Sequence, residues 1–244
     1  EDGQATDVSY GGVCGRVDTL GWFVVGLLQY VEFTGDDELA RQFKPTMERA
    51  LELFGTWEFN RRGLVYVPQG GDWADEYVLR GYILHVQLLR LWALRLFARW
   101  ADDDRRRREA DALQARLERN YWPTERTDPR DTYHRWAFQR YVDEHGEPKH
   151  WLAALAPSGY FPQFDAWSNA LALLLGLGEQ SQRTAILDYG QKVVARQPIP
   201  LVPAFWPPIL KSDPLWADLK NNCRDKFSNR PGRYHNGGIW PVVN

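Results

Sequence analysis

The stretch Val17-Asp18-Thr19-Leu20-Gly21-Trp22-Phe23-Val24-Val25-Gly26-Leu27-Leu28-Gln29-Tyr30-Val31-Glu32-Phe33 is apolar around most of a helical circumference, and it predicts a buried helix. Thr34-Gly35-Asp36-Asp37 then supplies a stop and a new N-cap. Over residues 37–54, Leu39, Phe43, Met47, Ala50, Leu51 and Phe54 recur at three- and four-residue intervals in an otherwise charged segment, so one stripe packs inward and the rest meets water. This couplet of an apolar inner helix and an amphipathic outer one returns twice. Residues 77–101 are apolar-rich, and residues 102–121 are charged with Leu113 and Leu117 on the inner stripe. Residues 166–177 are nearly all apolar, and residues 180–196 carry Ile186, Leu187, Val193 and Val194 on a mixed face. Ile239-Trp240-Pro241-Val242-Val243 reads as the start of a fourth inner helix, with Pro in the first turn where its missing N–H does no harm. The expectation is a single all-α domain over residues 1–244, with about three and a half helix pairs.

Inner-to-outer links are short, whereas the outer-to-inner connectors, near residues 55–75, 122–165 and 197–238, are long. Long ordered connectors usually carry function. Alternation makes the inner helices parallel, so these connectors should emerge on one face and gather their side chains there. In the first of them, residues 57–59 and 64–67 flank Asn60-Arg61-Arg62-Gly63 as a short hairpin.

With 244 residues and 44% hydrophobic content the chain can bury a sizeable core. Twelve Trp residues exceed what such a core needs, and exposed indole faces are platforms for the apolar faces of sugar rings. Trp92 and Trp100, inside helical patterns, read as packing, while Trp57, Trp136, Trp151 and Trp206 on connectors divide evenly between stacking and packing. A formal charge of −2 gives no general attraction to nucleic acid or anionic membrane, and Arg105-Arg106-Arg107-Arg108, set among acids, reads as a solvated helix face. Cys14 and Cys223 stand alone, without metal-ligand spacing, so neither a disulfide framework, a metal nor a cofactor is expected. No apolar run reaches membrane-spanning length, and Glu1-Asp2-Gly3-Gln4 opens no signal peptide; a cytoplasmic protein is the expectation, its oligomeric state open.

Four clusters fall where a connector enters an inner helix: residues 15–22, Asp72-Trp73-Ala74-Asp75-Glu76-Tyr77, Phe164-Asp165-Ala166-Trp167-Ser168-Asn169, and Arg233-Tyr234-His235-Asn236-Gly237-Gly238-Ile239-Trp240-Pro241. Any one of Asp18, Asp72 or Asp165 is most simply an N-cap. Four aromatic-flanked polar clusters on one rim are harder to explain as caps. A carboxyl group beside indole, where a loop enters a helix, is a setting that keeps an acid protonated near neutrality, so Asp72 and Asp75 are the candidate general acids.

The ordered motifs Val17-Asp18-Thr19-Leu20-Gly21-Trp22, Thr34-Gly35-Asp36, Trp73-Ala74-Asp75 leading to Gly81-Tyr82 and Gln87, Trp167-Ser168-Asn169-Ala170-Leu171-Ala172, and Tyr234-His235-Asn236-Gly237-Gly238-Ile239-Trp240-Pro241 resemble the inverting glycoside hydrolases with an (α/α)6 barrel. Within these the chain is similar to the neutral/alkaline invertases, the amylo-α-1,6-glucosidase domains of glycogen-debranching enzymes, and the mannosylglycerate and glucosylglycerate hydrolases. The resemblance spans nearly the whole chain, and its most specific piece is the His-Asn-Gly-Gly-x-Trp-Pro box. It implies an incomplete (α/α)6 toroid and a carbohydrate substrate, with Asp75, or else Asp72, protonating the leaving oxygen. It also implies that Asp18, Trp22, Trp73, Trp167, Asn169, His235, Asn236 and Trp240 line the innermost sugar subsite. Arg16 and Arg233 would bind a second sugar, or the carboxylate of a glycosyl-glycerate. The family's catalytic base is a Glu well downstream of the box, hence expected beyond residue 244. Alternatives are a sugar phosphorylase or epimerase on the same toroid, recognised by a phosphate requirement, and a non-catalytic carbohydrate-binding helical protein.

Overall fold

The computed structural model describes residues 16–223 and 226–244, so the Cys14 and Gly15 positions lie outside the described residues. Among these, the chain forms eight α-helices and four short strands. It is mostly helical.

Helix α1 (Asp18–Thr34) ends as its sequence dictates: Gly35 adopts a φ of 71° and donates its N–H to Val31 O at 2.8 Å. Asp36 Oδ1 accepts from Glu38 N at 3.1 Å to open α2 (Glu38–Thr56), while Asp37, at the N-cap position, accepts from the Trp100 indole and pairs with Arg41. Burial of α1 is confined to Asp18, Gly21, Val24, Val25 and Leu28, correcting the expectation of an all-round buried helix. Its main neighbours, α2 and α3, take one side only. Gly21 permits the close approach to α3, since a Cβ there would stand 2.8 Å from Leu89 Cβ.

Helix α3 (Leu84–Ala101) is the most deeply buried element, and α4 (Asp104–Tyr121) packs along it with Leu113 and Leu117 inward. Asp103 caps α4, accepting from Arg106 N at 3.0 Å. The basic run is not wholly solvated: Arg105, Arg107 and Arg108 are exposed, but Arg106 is buried and paired with Glu109 at 2.8 Å. Position decides this, because Arg106 lies on the face that meets α2 and α3, where Glu52 and Glu109 supply countercharge.

The expected start of the third helix at residue 77 is corrected to Leu84. Gly81, at φ 89°, bridges Val67 with N–H and C=O both paired, and a Cβ on it would meet Leu155 O at 2.7 Å. Tyr82–Ile83 then extends as strand β1 before the helix begins. Residues 57–67 form no hairpin; a 3-10 turn occupies Phe59–Arg61, and Val65 hydrogen-bonds through both backbone groups to the Gln87 side chain at 3.0 and 2.8 Å.

The second connector holds most of the surprise. It contains α5 (Arg135–His145), then β2 (Leu152–Ala156) and β3 (Gly159–Asp165), which pair antiparallel. With β1 and β4 (Phe205–Trp206) they form a four-stranded antiparallel sheet in the order β1-β2-β3-β4, so the fold is not purely all-α. Helix α6 (Ala166–Leu174) stops before Gly176 and Gly178, both at φ 74°, shorter than the run to Leu177 suggested. Helix α7 (Gln180–Val194) opens with a Glu179–Gln182 capping box and buries Ile186 and Val193, whereas Leu187 is exposed. The third connector carries β4 and α8 (Trp216–Asn221). In place of a fourth inner helix, Pro241–Val243 forms a 3-10 turn.

Helices α1, α3 and α6 make an inner layer, with α3 against both others; α2, α4 and α7 back them. No helix among the described residues is long and apolar enough to cross a membrane.

Candidate active site

The inner helices bring their N-terminal ends together. Trp22 in the second turn of α1, His85 in the first turn of α3 and Trp167 in the first turn of α6 have ring centroids 6.1, 5.6 and 4.9 Å apart for the pairs 22–85, 22–167 and 85–167. Such contacts require the three helices to run in the same direction.

Trp73, on the loop before β1, is the hub. Its ring lies 5.1 Å from Trp167, 5.3 Å from His235 and 6.1 Å from Trp240, and stacks on Phe205 at 5.4 Å. His235 stacks on Trp240 at 5.3 Å and lies tilted against Tyr234 at 4.0 Å. Sequence positions 22, 73, 85, 167, 235 and 240 therefore form one aromatic assembly. Trp22, Trp167, Tyr234 and Trp240 are half-buried and face outward in part; Trp73, His85 and His235 form a buried floor.

Charge gathers at the same place. Arg16 donates from Nε to Asp18 Oδ1 at 3.2 Å and from Nη2 to Oδ2 at 3.0 Å, a two-point grip on a carboxylate that is itself buried in the first turn of α1. Asp18 is thus an ion-pair partner and not a cap. Asp75 Oδ2 lies 3.8 Å from Arg16 Nη1, with 27% of its side chain exposed. Asp72, three residues earlier, is fully buried, and both its oxygens lack a hydrogen-bond partner, the Ala74 N–H approaching too loosely to count. Burial, then the Asp18 and Asp165 carboxylates, push its pKa well above the ordinary value against the pull of Arg16. That direction favours the neutral, proton-bearing form of Asp72.

The floor is uncharged for the same reason throughout. Burial, with Arg16 adding to it, lowers His85 and His235 to about 3, so both imidazoles stay neutral. Both ring nitrogens of His85, Nδ1 of His235 and Nε1 of Trp73 are buried without partners, alongside the two Asp72 oxygens. Buried polar groups are nearly always paired, so a concentration of orphans marks a place for a polar ligand or water.

Other expected residues do different work. Asn169 Oδ1 accepts from Trp151 N at 2.9 Å, and its amide donates to Trp151 O and Asp165 O at 3.1 and 2.9 Å. Asn236 accepts from Ile209 N at 2.6 Å and donates to Ile209 O and Asn229 O at 2.9 and 3.0 Å. With every amide hydrogen engaged by backbone, both asparagines hold loops in place and have no donor left for a sugar hydroxyl. Arg233 is exposed on the turn. Asp165 is the cap of α6, accepting from Ser168 N at 3.2 Å, and burial raises it to about 6 against those bonds. His85 and Tyr234 join the cluster although neither was singled out as a candidate; no sequence signal marks His85, which sits in an apolar helical run.

No family model matches the chain, and no curated protein does. Two cavities stand apart from the cluster. One of about 480 Å³ lies among Glu118, Trp122, Arg126, Glu147 and Gln182, and one of about 440 Å³ lies between α6 and α7. The cluster is an open face over a sealed floor. No group of acids, histidines and cysteines fit for a metal occurs among the described residues.

Proposed function

We propose that the two helical layers are an arc of an (α/α)6 toroid, and that the aromatic and carboxylate cluster is the sugar site of an inverting hydrolase for a small or branched α-glucoside. One observation carries the reading: unpaired polar atoms of Asp72, Trp73, His85 and His235 lie among indole rings, beside an Arg16–Asp18–Asp75 group. Sugars present hydroxyls at the rim of the ring and C–H groups on its faces, so they ask for both kinds of surface at once.

In this reading Trp22, Trp167 and Trp240 cover the apolar faces of the sugar, and the Asp72–Asp75 loop supplies the proton to the leaving oxygen. Asp75 is the donor, because its carboxyl opens to the rim while that of Asp72 is sealed. Asp72, kept neutral by burial, adds no negative charge that would resist substrate approach. Inversion further requires an ionised carboxylate about 6.5–9.5 Å across the scissile bond to activate water. On the family pattern this carboxylate is a Glu downstream of the His-Asn-Gly-Gly box.

The test is substitution of the two loop acids. Asp75→Asn should abolish hydrolysis of an α-glucoside with a poor leaving group while leaving its affinity within about threefold, because only proton donation is removed. Asp72→Asn should retain most turnover. Turnover unchanged in Asp75→Asn removes that residue from the role, and loss confined to Asp72→Asn transfers it.

A further inference from the structure

We infer that this site accepts uncharged glycosides and rejects those bearing a carboxylate or phosphate, because its cation Arg16 is already gripped by Asp18 and faces Asp75, and its floor presents imidazole and indole groups. The inference rests on the sugar-site reading above and narrows it to a substrate class.

An anionic sugar is recognised by a cation whose charge is free, commonly an arginine fork facing the ligand. Arg16 is the cation that contacts the Asp18 and Asp75 carboxylates. Its Nε and Nη2 face Asp18, and its Nη1 faces Asp75. Asp18 alone, gripping Arg16 at two points, offsets its charge before Asp75 is counted. Arg233, the other cation that a glycosyl-glycerate would need, is exposed on its turn. Further groups do not restore positive charge: burial keeps His85 and His235 neutral and favours the protonated form of Asp72. A carboxylate or phosphate entering here would lose part of its hydration and find no free positive charge in return. Hydroxyls meet the opposite case. A neutral imidazole offers one donor and one acceptor, a protonated carboxyl offers both, and the Trp73 indole offers a donor. A phosphorylase, which must hold inorganic phosphate beside the sugar, is disfavoured by the same balance.

The experiment is calorimetric titration of the full-length protein with three probes: methyl α-D-glucopyranoside, its C6 carboxylate analogue methyl α-D-glucopyranosiduronate, and inorganic phosphate. The neutral probe should bind at least about tenfold more tightly than the uronate, and added salt should improve uronate binding by screening repulsion. Asp18→Asn, which releases Arg16, should narrow the neutral-to-anionic ratio by about tenfold, and the wild-type ratio and its salt dependence decide the question even if that variant does not fold. Equal or tighter binding of the uronate, weakened by salt, or phosphate binding at this site, overturns the inference alone. Failure of all three probes to bind overturns it together with the sugar-site reading.

Discussion

Two buried polar regions lie along α3 less than two turns apart, and they are built in opposite ways. Between α2, α3 and α4, Arg90 meets Glu58 at 2.5 Å and Glu109 at 2.8 Å, and Arg106 meets Glu109 at 2.8 Å. The Arg90 Nη1 contact with Glu58 is an ion contact without hydrogen-bond alignment, yet each charge has its counterion. At the N-terminal end of the same helix, His85, Asp72 and the Nδ1 atom of His235 are as deeply buried and lack a hydrogen-bond partner. Paired charges between helices fix how the layers sit. Unpaired neutral groups at the helix ends stabilise nothing by themselves, and that is what a site awaiting a ligand looks like.

The difference can be broken from the paired side first. Arg90→Met strands Glu58 and leaves Glu109 to Arg106 alone, and should cost about 3 kcal/mol, read as a lowered urea midpoint. Asn236→Ala, which cuts the backbone bonds tying residue 209 to residue 229, should cost about 2 kcal/mol by the same measurement. From the unpaired side, His85→Phe should change stability at pH 7 by less than about 1 kcal/mol, because no hydrogen bond is lost and a ring of similar size refills the space among Trp22, Trp73 and Trp167. Its signature is in acid. The folded state holds His85 near 3 against an ordinary 6.5, so its contribution is intact above about pH 6.5 and declines as pH falls towards 3, where the unfolded chain takes up the proton first. The variant should therefore lose stability less steeply over that interval, by up to about 1.4 kcal/mol per pH unit, His235 still supplying its own slope. An unchanged acid limb would mean that His85 is not held neutral by the fold.

The same contrast explains what the sequence reveals. Helix pairs α1/α2, α3/α4 and α6/α7 are legible because each outer helix carries a stripe at helical spacing, as Met47, Leu51 and Phe54 do on α2. Strand β2 is not legible: Leu152-Ala153-Ala154-Leu155-Ala156 is buried at every position, so no alternation shows, and its residues favour helix by propensity. The start of α3 is hidden because Gly81 takes its conformation from a bridge to Val67, a contact fixed by distant chain. Convergence of Asp18, Trp73, Trp167 and His235 follows from parallel inner helices, which alternation already demands. What each polar atom does there is tertiary information. Asn169 and Asn236 are engaged with backbone and His85 is unpartnered, and none of these differences has a counterpart in residue type or spacing.

The central claim is that the N-terminal ends of α1, α3 and α6, with the Trp73 loop and the His235 turn, form one carbohydrate site. Titrating the 15N-labelled full-length protein with methyl α-D-glucopyranoside and following the assigned indole N–H resonances tests it most directly. The account predicts that Trp22, Trp73 and Trp167 shift together with a single dissociation constant while Trp122, beside the separate 480 Å³ cavity, stays still. Shifts confined to Trp122, or none at the three clustered indoles, would contradict it.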